Sequence, residues 1–300
     1  MEQDTKKYMT YGILFVAAAA GAFLLTRSGQ DEQVQDTVPV VAEPQVVEEA
    51  PQWPLQEVIG TSVEGRAIEA YTYGAGRQHL LFIGGIHGGY EYNSVLLAYE
   101  LLDYLDEEKN SLPENVAITV VPSANPDGVF RVIGKEGRFS PDDVPDEEQI
   151  AGTGRFNAND VDLNRNFDCK WQPSSTWRGN EVSAGGAAFS EPEAQALRAL
   201  VESIDPVVAV FFHSQSDAVY ASECEEGILP ETMTVMNLYS EASGYKAVDS
   251  FDAYAITGDA EGWLASIGIP AITVELSNHT DTEWERNKAG VKSLINHYAR

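Results

Sequence analysis

The chain has 300 residues, with 47 Asp and Glu against 19 Lys and Arg and a formal net charge of −28. So acidic a surface excludes nucleic acid as a partner, because phosphate backbones require a basic footprint. Two cysteines, Cys169 and Cys224, leave no Cys-based structural zinc site to draw, while 43% hydrophobic residues suffice for one sizeable core.

Residues 8–26 are 19 uncharged, mostly apolar positions, close to the roughly 20 that span a bilayer as a helix. Lys6 and Lys7 precede them and Arg27 follows, which predicts residues 1–7 as a cytoplasmic tail and 8–26 as a transmembrane anchor. A signal peptide cleaved near Ala20-Gly21-Ala22 is the alternative, with secretion as its outcome. Both put the remainder of the chain outside the cytoplasm. Residues 27–53 hold Asp31, Glu32, Asp36, Glu43, Glu48 and Glu49, three prolines and no cation after Arg27. This composition predicts an acidic, disordered spacer. Residues 54–300 are long enough for a single α/β domain.

Within that domain, Glu57 to Ile59 and Ala67 to Tyr73 read as an opening hairpin. A buried strand around Leu80 to Ile83 runs into Gly84-Gly85-Ile86-His87-Gly88-Gly89, and a helix follows from Glu91 to Leu105. The next strand spans Asn115 to Pro122 and ends in a turn at Asn125 to Gly128. The polar stretch from Arg131 to Asp160 reads as a long surface loop. Ser190 and Glu193 have the spacing of a capping box, which predicts a helix running to Ile204. A strand then ends at His213, a helix covers Pro230 to Ser243, a strand covers Pro270 to Glu275, and a last helix covers Glu283 to Tyr298. Strands alternating with helices predict an α/β architecture with a central mixed, mostly parallel sheet flanked by helices.

His87 with Glu91, His213, and Glu275 each follow an apolar run. In open α/β sheets the carboxyl ends of the strands form the ligand crevice. Two imidazoles and one carboxylate meeting there make the ligand set of a catalytic zinc, and a second glutamate at a neighbouring strand end suits a general base. Taken singly, each has a plain structural reading, such as a core histidine or a helix-start glutamate.

Six segments in order give this domain a recognisable likeness: Gly85 to Glu91, Asn125 to Gly128, Val161 to Phe167, Phe212 to Ser214, Tyr254 to Trp263 and Thr273 to Leu276. Across about residues 54–300 the chain resembles the zinc carboxypeptidases of the carboxypeptidase A type. The resemblance implies one Zn2+ per chain held by His87, Glu91 and His213, with Glu275 as the base that deprotonates water and then protonates the leaving amine. It implies an oxyanion-stabilising arginine, Arg155, with Arg131 and Arg138 as rivals. Asn164 and Arg165 would grip the substrate's terminal carboxylate, Tyr254 would cap it, and Glu261 would sit at the pocket floor and select a basic terminal residue. No long inhibitory prodomain is expected, and the catalytic domain is expected to be monomeric.

The likeness departs at one point. Gly88, Gly89 and Tyr90 put three residues between the first two ligands, where most relatives have two. Either a wide glycine turn absorbs the extra residue, or Glu91 swings away from the metal. The implied activity is removal of a C-terminal residue from peptides. The alternatives are a related amidohydrolase acting on murein peptides with diaminopimelate or on small acylated amino acids, and a non-catalytic peptide-binding module. His79, His279 and His297 carry no expectation beyond surface or structural roles.

Overall fold

The structure, a computed structural model, describes residues 52–146, 150, 152–251 and 255–300. The expected tail, anchor and nearly all of the acidic spacer lie outside the described residues, as does Tyr254. Among the described residues no helix is long and apolar enough to cross a membrane.

The strands are β1 (Leu55–Thr61), β2 (Ala67–Tyr73), β3 (Gln78–Ile83), β4 (Val116–Val121), β5 (Ser174–Trp177), β6 (Asn180–Ser183), β7 (Val208–Ser214), β8 (Ala218–Ala221), β9 (Glu223–Cys224), β10 (Gly227–Ile228), β11 (Lys246–Val248) and β12 (Ala271–Leu276). Eight of them form one sheet in the order β1-β2-β4-β3-β7-β12-β8-β11. Its centre, β4-β3-β7-β12, is parallel, whereas β1-β2, β2-β4 and β12-β8 pair antiparallel. With β8-β11 also parallel, four of the seven pairs are parallel, and the sheet is the mixed, mostly parallel one the sequence predicts. The central strands are Val-, Ile-, Leu- and Phe-rich and buried along their length, as strands covered on both faces must be.

Side chains alternate between the faces with the two-residue period of a strand. Leu80, Phe82, Val210, Phe212, Ile272 and Val274 pack on one face against α1 (Tyr92–Glu108), and this cluster extends to residues of two later helices, Pro230–Ser243 and Trp284–Tyr298. Leu81, Ile83, Ala209, Phe211 and Ala271 pack on the other face against Leu197, Leu200 and Val201 of the helix Pro192–Ile204 and Trp263 and Leu264 of the helix Ala260–Ser266. With α2 (Pro126–Ile133), these four later helices are α3 (Pro192–Ile204), α4 (Pro230–Ser243), α5 (Ala260–Ser266) and α6 (Trp284–Tyr298).

Local chemistry corrects several expectations. Asn125 does not merely turn the chain: its side chain accepts from Gly128 N at 2.9 Å and caps α2, with Pro126 in the first turn. The expected loop from Arg131 thus begins inside a helix. The Ser190–Glu193 capping box does not form. The N-cap of α3 is Glu191, Ser190 Oγ donates to the Glu191 carboxylate, and Glu193 instead accepts from Val63 N and Asn157 Nδ2. Tertiary partners for a buried carboxylate outrank a local capping rule.

Candidate metal centre and cleft

The turn after β3 answers the spacing question. Gly88–Glu91 forms a short 3-10 turn that leads into α1. Gly88 has φ +50°, and a Cβ there would lie 2.4 Å from the Gly154 carbonyl oxygen, so no larger residue fits. The wide turn absorbs the extra residue and keeps Glu91 beside His87.

His213, at the end of β7, joins them from the sheet. His87 Nδ1 lies 2.8 Å from Glu91 Oε1, and His213 Nδ1 lies 3.1 Å from Glu91 Oε2 and 3.2 Å from His87 Nδ1. All three side chains are buried. Donors bonded at 2.0–2.1 Å around tetrahedral zinc sit about 3.3 Å apart, which these separations approach.

Each imidazole has a carboxylate near its far nitrogen, a hydrogen bond for His213 and a looser approach for His87. His213 Nε2 faces Glu261 Oε1 at 3.1 Å, and His87 Nε2 faces Asp162 Oδ1 at 3.5 Å. With a cation bound and the N–H groups on these far nitrogens, both Nδ1 atoms would turn lone pairs toward it, beside Glu91. Two imidazoles and a carboxylate converging in a buried site suit a divalent cation. Burial alone would raise the Glu91 carboxyl, yet the two imidazoles hold it well below the ordinary range.

Glu275 is the register partner of His213 on the adjacent parallel strand β12, so both side chains leave the same face of the sheet. Its Oε2 is buried with no hydrogen-bond partner. Burial pushes its ionisation up to about 7; His213 and Arg155 oppose this, and the charges of Glu91 and Glu261 add to it.

Arg155, Asn164, Arg165 and Glu261 all line the same cleft of about 900 Å³. The rival arginines do not. Arg131 pairs with Asp160 at 3.5 Å, and Arg138 forms a fork with Asp103. The Arg155 guanidinium donates from Nε and Nη2 to Asp162 Oδ2, at 3.1 and 2.8 Å, and its Nη1 is 3.6 Å from Glu91 Oε1. Arg165 is buried, bonds the Asn164 carbonyl oxygen and leaves Nε without a partner. Among the described residues no carboxylate forms an ion pair with it. Asn164 Oδ1 accepts from Ala260 N at 2.8 Å, which joins this turn to the start of α5.

Glu261 is a helix residue, not the exposed loop acid its composition allows. It is 3% exposed, and its Oε1 is shared by His213 Nε2 and Thr273 Oγ1, each at 3.1 Å. Glu261 thus anchors the imidazole of His213. Asp162 is a functional residue that sequence reasoning passed over as part of a polar turn. It is fully buried; burial opposes its ionisation, but Arg155 and Arg165 hold the carboxyl well below the usual range. His279 also lines the cleft, with Nδ1 2.7 Å from Ser214 Oγ, in contrast to the remote His79 and His297.

Cys169 and Cys224 are disulfide-bonded. The bond joins the segment after Arg165 to β9 at the cleft rim. Gly258, at φ +71°, donates to the Cys169 carbonyl at 2.7 Å and accepts from Phe167 N at 2.8 Å, so the chain leading into α5 is clasped to the same segment.

A sequence profile described as zinc carboxypeptidase matches residues 44–284. The chain belongs to the zinc carboxypeptidase family. A gamma-D-glutamyl-L-diamino acid endopeptidase of Lysinibacillus sphaericus is 27% identical over 244 residues, 74% of this chain and 60% of that protein. A zinc carboxypeptidase A of Anopheles gambiae is 27% identical over 68% of this chain and 50% of its own length. The chain thus spans between half and three-fifths of these two relatives. The solved murein-tripeptide amidase of Escherichia coli O157 superposes with a TM-score of 0.58 at 25% identity, covering 86% of this chain and 97% of that one. Bovine thrombin-activatable fibrinolysis inhibitor, at 18% identity and TM-score 0.64 over 83% of this chain and 89% of that one, shares the fold. His87, Glu91 and His213 are the residues that fit the family's zinc.

Proposed function

We propose that this protein is an exported, membrane-tethered zinc carboxypeptidase that releases a C-terminal residue with a cationic side chain. One observation carries the reading: His87, Glu91 and His213 converge beside Glu275, a half-buried carboxylate on the neighbouring strand whose Oε2 is buried and unpartnered. Bound there, zinc supplies Lewis acidity, polarising a carbonyl and lowering the pKa of water to about 7.

The protein's own groups do the rest. Glu275 takes the proton from the attacking water and returns it to the leaving amine. Arg155, fixed by Asp162, presents a guanidinium to the oxygen on which charge develops. Arg165, buried, with its Nε unpartnered and in no ion pair among the described residues, matches a carboxylate, and Asn164 beside it adds a polar contact. Tyr254 is assigned to cap that carboxylate. Asp259 and Glu261 supply negative charge on the wall that would receive a terminal ammonium or guanidinium.

A second reading, favoured by the likeness to a gamma-D-glutamyl-L-diamino acid endopeptidase and a murein-tripeptide amidase, has a diamino acid as the released residue. Its side-chain amine meets the same acidic wall. Residues 8–26 are assigned as the anchor, or as a cleaved export signal, and the catalytic domain as a monomer.

The test is zinc stoichiometry together with release of Lys, Arg, Phe or diaminopimelate from otherwise identical peptides. One zinc per chain and faster release of Lys and Arg support the first reading; faster release of diaminopimelate alone supports the second. No release from any peptide would return the chain to a binding role.

A further inference from the structure

We propose that Asn157, held by Glu191 and Glu193 at the start of α3, is a positioning residue that sets Arg155 and Asp162 in place beside the metal centre. This rests on the carboxypeptidase reading for the role of Arg155, and it assigns a residue that touches neither metal nor substrate.

The turn from Asn157 to Val161 is closed on itself. Asn157 N donates to the Val161 carbonyl at 3.0 Å, and Val161 N donates back to Asn157 Oδ1 at 3.0 Å. Asn159 N donates to the same Oδ1 at 3.1 Å. Asp160, with φ of 58°, donates from its N to the Asn157 carbonyl at 3.1 Å. The chain therefore enters and leaves the turn at nearly the same point. Arg155 stands just before it and Asp162 just after, and their ion pair at 2.8 Å closes the neck. Any tilt of the turn is passed to both side chains.

The Asn157 amide fixes that tilt. Its Nδ2 donates to Glu191 Oε2 at 2.8 Å and to Glu193 Oε2 at 3.1 Å, and Asn159 Nδ2 donates to Glu191 Oε2 at 2.7 Å. Asn157, Glu191 and Glu193 are all buried. Among the described residues the partners of the two carboxylates are neutral: these amides, Ser190 Oγ and Val63 N. Burial pushes the Glu193 carboxyl above its ordinary range, and the bonds from Val63 N and Asn157 work against that rise. Two buried carboxylates without a cation are costly, and an apolar pair would pack this corner more favourably. What the pair does achieve is orientation. An amide shared between two acceptors has one position, and the turn built on it has one as well.

A second bond acts from the other side. Asn125 Nδ2 donates to the Arg155 carbonyl at 3.2 Å, so the Arg155 backbone is pinned between the cap of α2 and the turn. Its guanidinium then reaches Asp162 and lies 3.6 Å from Glu91 Oε1, while Asp162 Oδ1 faces His87 Nε2 at 3.5 Å. One turn thus serves both the oxyanion-stabilising arginine and the carboxylate behind a zinc-binding imidazole. The Arg165 side of the cleft is tied elsewhere, through Asn164 to Ala260.

The test is Asn157→Asp, which keeps the side-chain shape and Oδ1 but turns a third carboxylate oxygen toward Glu191 and Glu193. In the folded, zinc-loaded enzyme, kcat for a peptide ending in Lys should fall about 10- to 100-fold with KM within about twofold, because Arg155 acts on charge that develops in the transition state. Zinc affinity, read by chelator competition, should fall about tenfold as Asp162 loosens from His87. Adding Glu191→Gln exchanges donor and acceptor across the contact and should restore most of both losses. If Asn157→Asp does not fold, Asn157→Ala, which leaves a gap in place of repulsion, is read for the same two losses. A folded variant with wild-type kcat and zinc affinity would reduce the turn to scaffold and overturn the proposal. So would a loss confined to KM, or one in Asn157→Asp that Glu191→Gln does not relieve. Zinc affinity is measured without turnover. A wild type that binds zinc but releases no residue would therefore sink the function reading, while the affinity of Asn157→Asp still judges the turn.

Discussion

Along β7, Val210 and Phe212 point to one face of the sheet, while Ala209, Phe211 and His213 point to the other. β12 repeats the pattern, with Ile272, Val274 and Leu276 on the first face and Ala271, Thr273 and Glu275 on the second. The first face is apolar up to Ser214 at the tip of β7 and is covered by α1, α4 and α6. The second is apolar only at its lower end, under α3 and α5, and turns polar where the strands finish. The difference teaches where a fold can hold costly groups. Buried charge is tolerated at the strand ends because neighbouring turns bring it partners, whereas mid-sheet positions can only pack.

Substitutions should separate the faces. Glu275→Gln, on the polar end, should cut kcat by about 10²–10⁴, the usual weight of a general acid–base. Zinc should remain bound, and stability in urea should hold or rise, because a half-buried carboxylate with a buried, unpartnered oxygen is removed. A variant that loses its zinc or unfolds would show that Glu275 is part of the scaffold. Phe212→Ala, one position before His213 but on the packed face, should behave in the opposite way. It should cost about 3–5 kcal/mol of unfolding free energy, while the folded enzyme keeps its turnover. Urea midpoints and initial rates on the folded fraction read both. A drop in kcat without loss of stability would end the distinction between the faces.

What the sequence made legible follows the same division. His213 and Glu275 could be found because each closes an apolar strand, and strand ends are visible from hydrophobic runs. The glycines around His87 announced a turn, and the turn proved wide enough to keep Glu91. Asp162 was not legible, because its partners His87 and Arg155 lie 75 and 7 residues away and meet it only after folding. The tight hairpin carrying Trp177 sits in a polar stretch without hydrophobic alternation, so it gave no strand signal. Glu261 was placed in the cleft by resemblance, but its bond to His213 depends on how α5 lies over β12.

Asp162 sharpens the contrast, since it acts on the metal without touching it. Asp162→Asn keeps an acceptor near His87 Nε2 but removes the charge that favours its N–H. Zinc affinity should fall about 10- to 100-fold, as when a metal-bound histidine loses its carboxylate partner. Competition against a chromophoric chelator measures it, and an affinity within twofold of wild type would reduce Asp162 to an anchor for Arg155.

The smallest effect concerns pH and comes again from the polar end. Glu275 must be ionised to accept a proton, and its carboxyl is pushed up to about 7 before any metal charge acts on it. A raised pKa on a required base means that activity is lost as pH falls through that value. A divalent cation nearby favours the carboxylate and moves the midpoint lower, so about 7 is its upper bound. kcat/KM should therefore fall by at most about fivefold between pH 7 and pH 6. Acid also displaces metals from their ligands, so bound zinc has to be measured at each pH. If kcat/KM falls while zinc stays bound, the limb belongs to Glu275. A rate that climbs toward acid with zinc in place would require an essential proton instead, and the base would have to be sought elsewhere in the cleft.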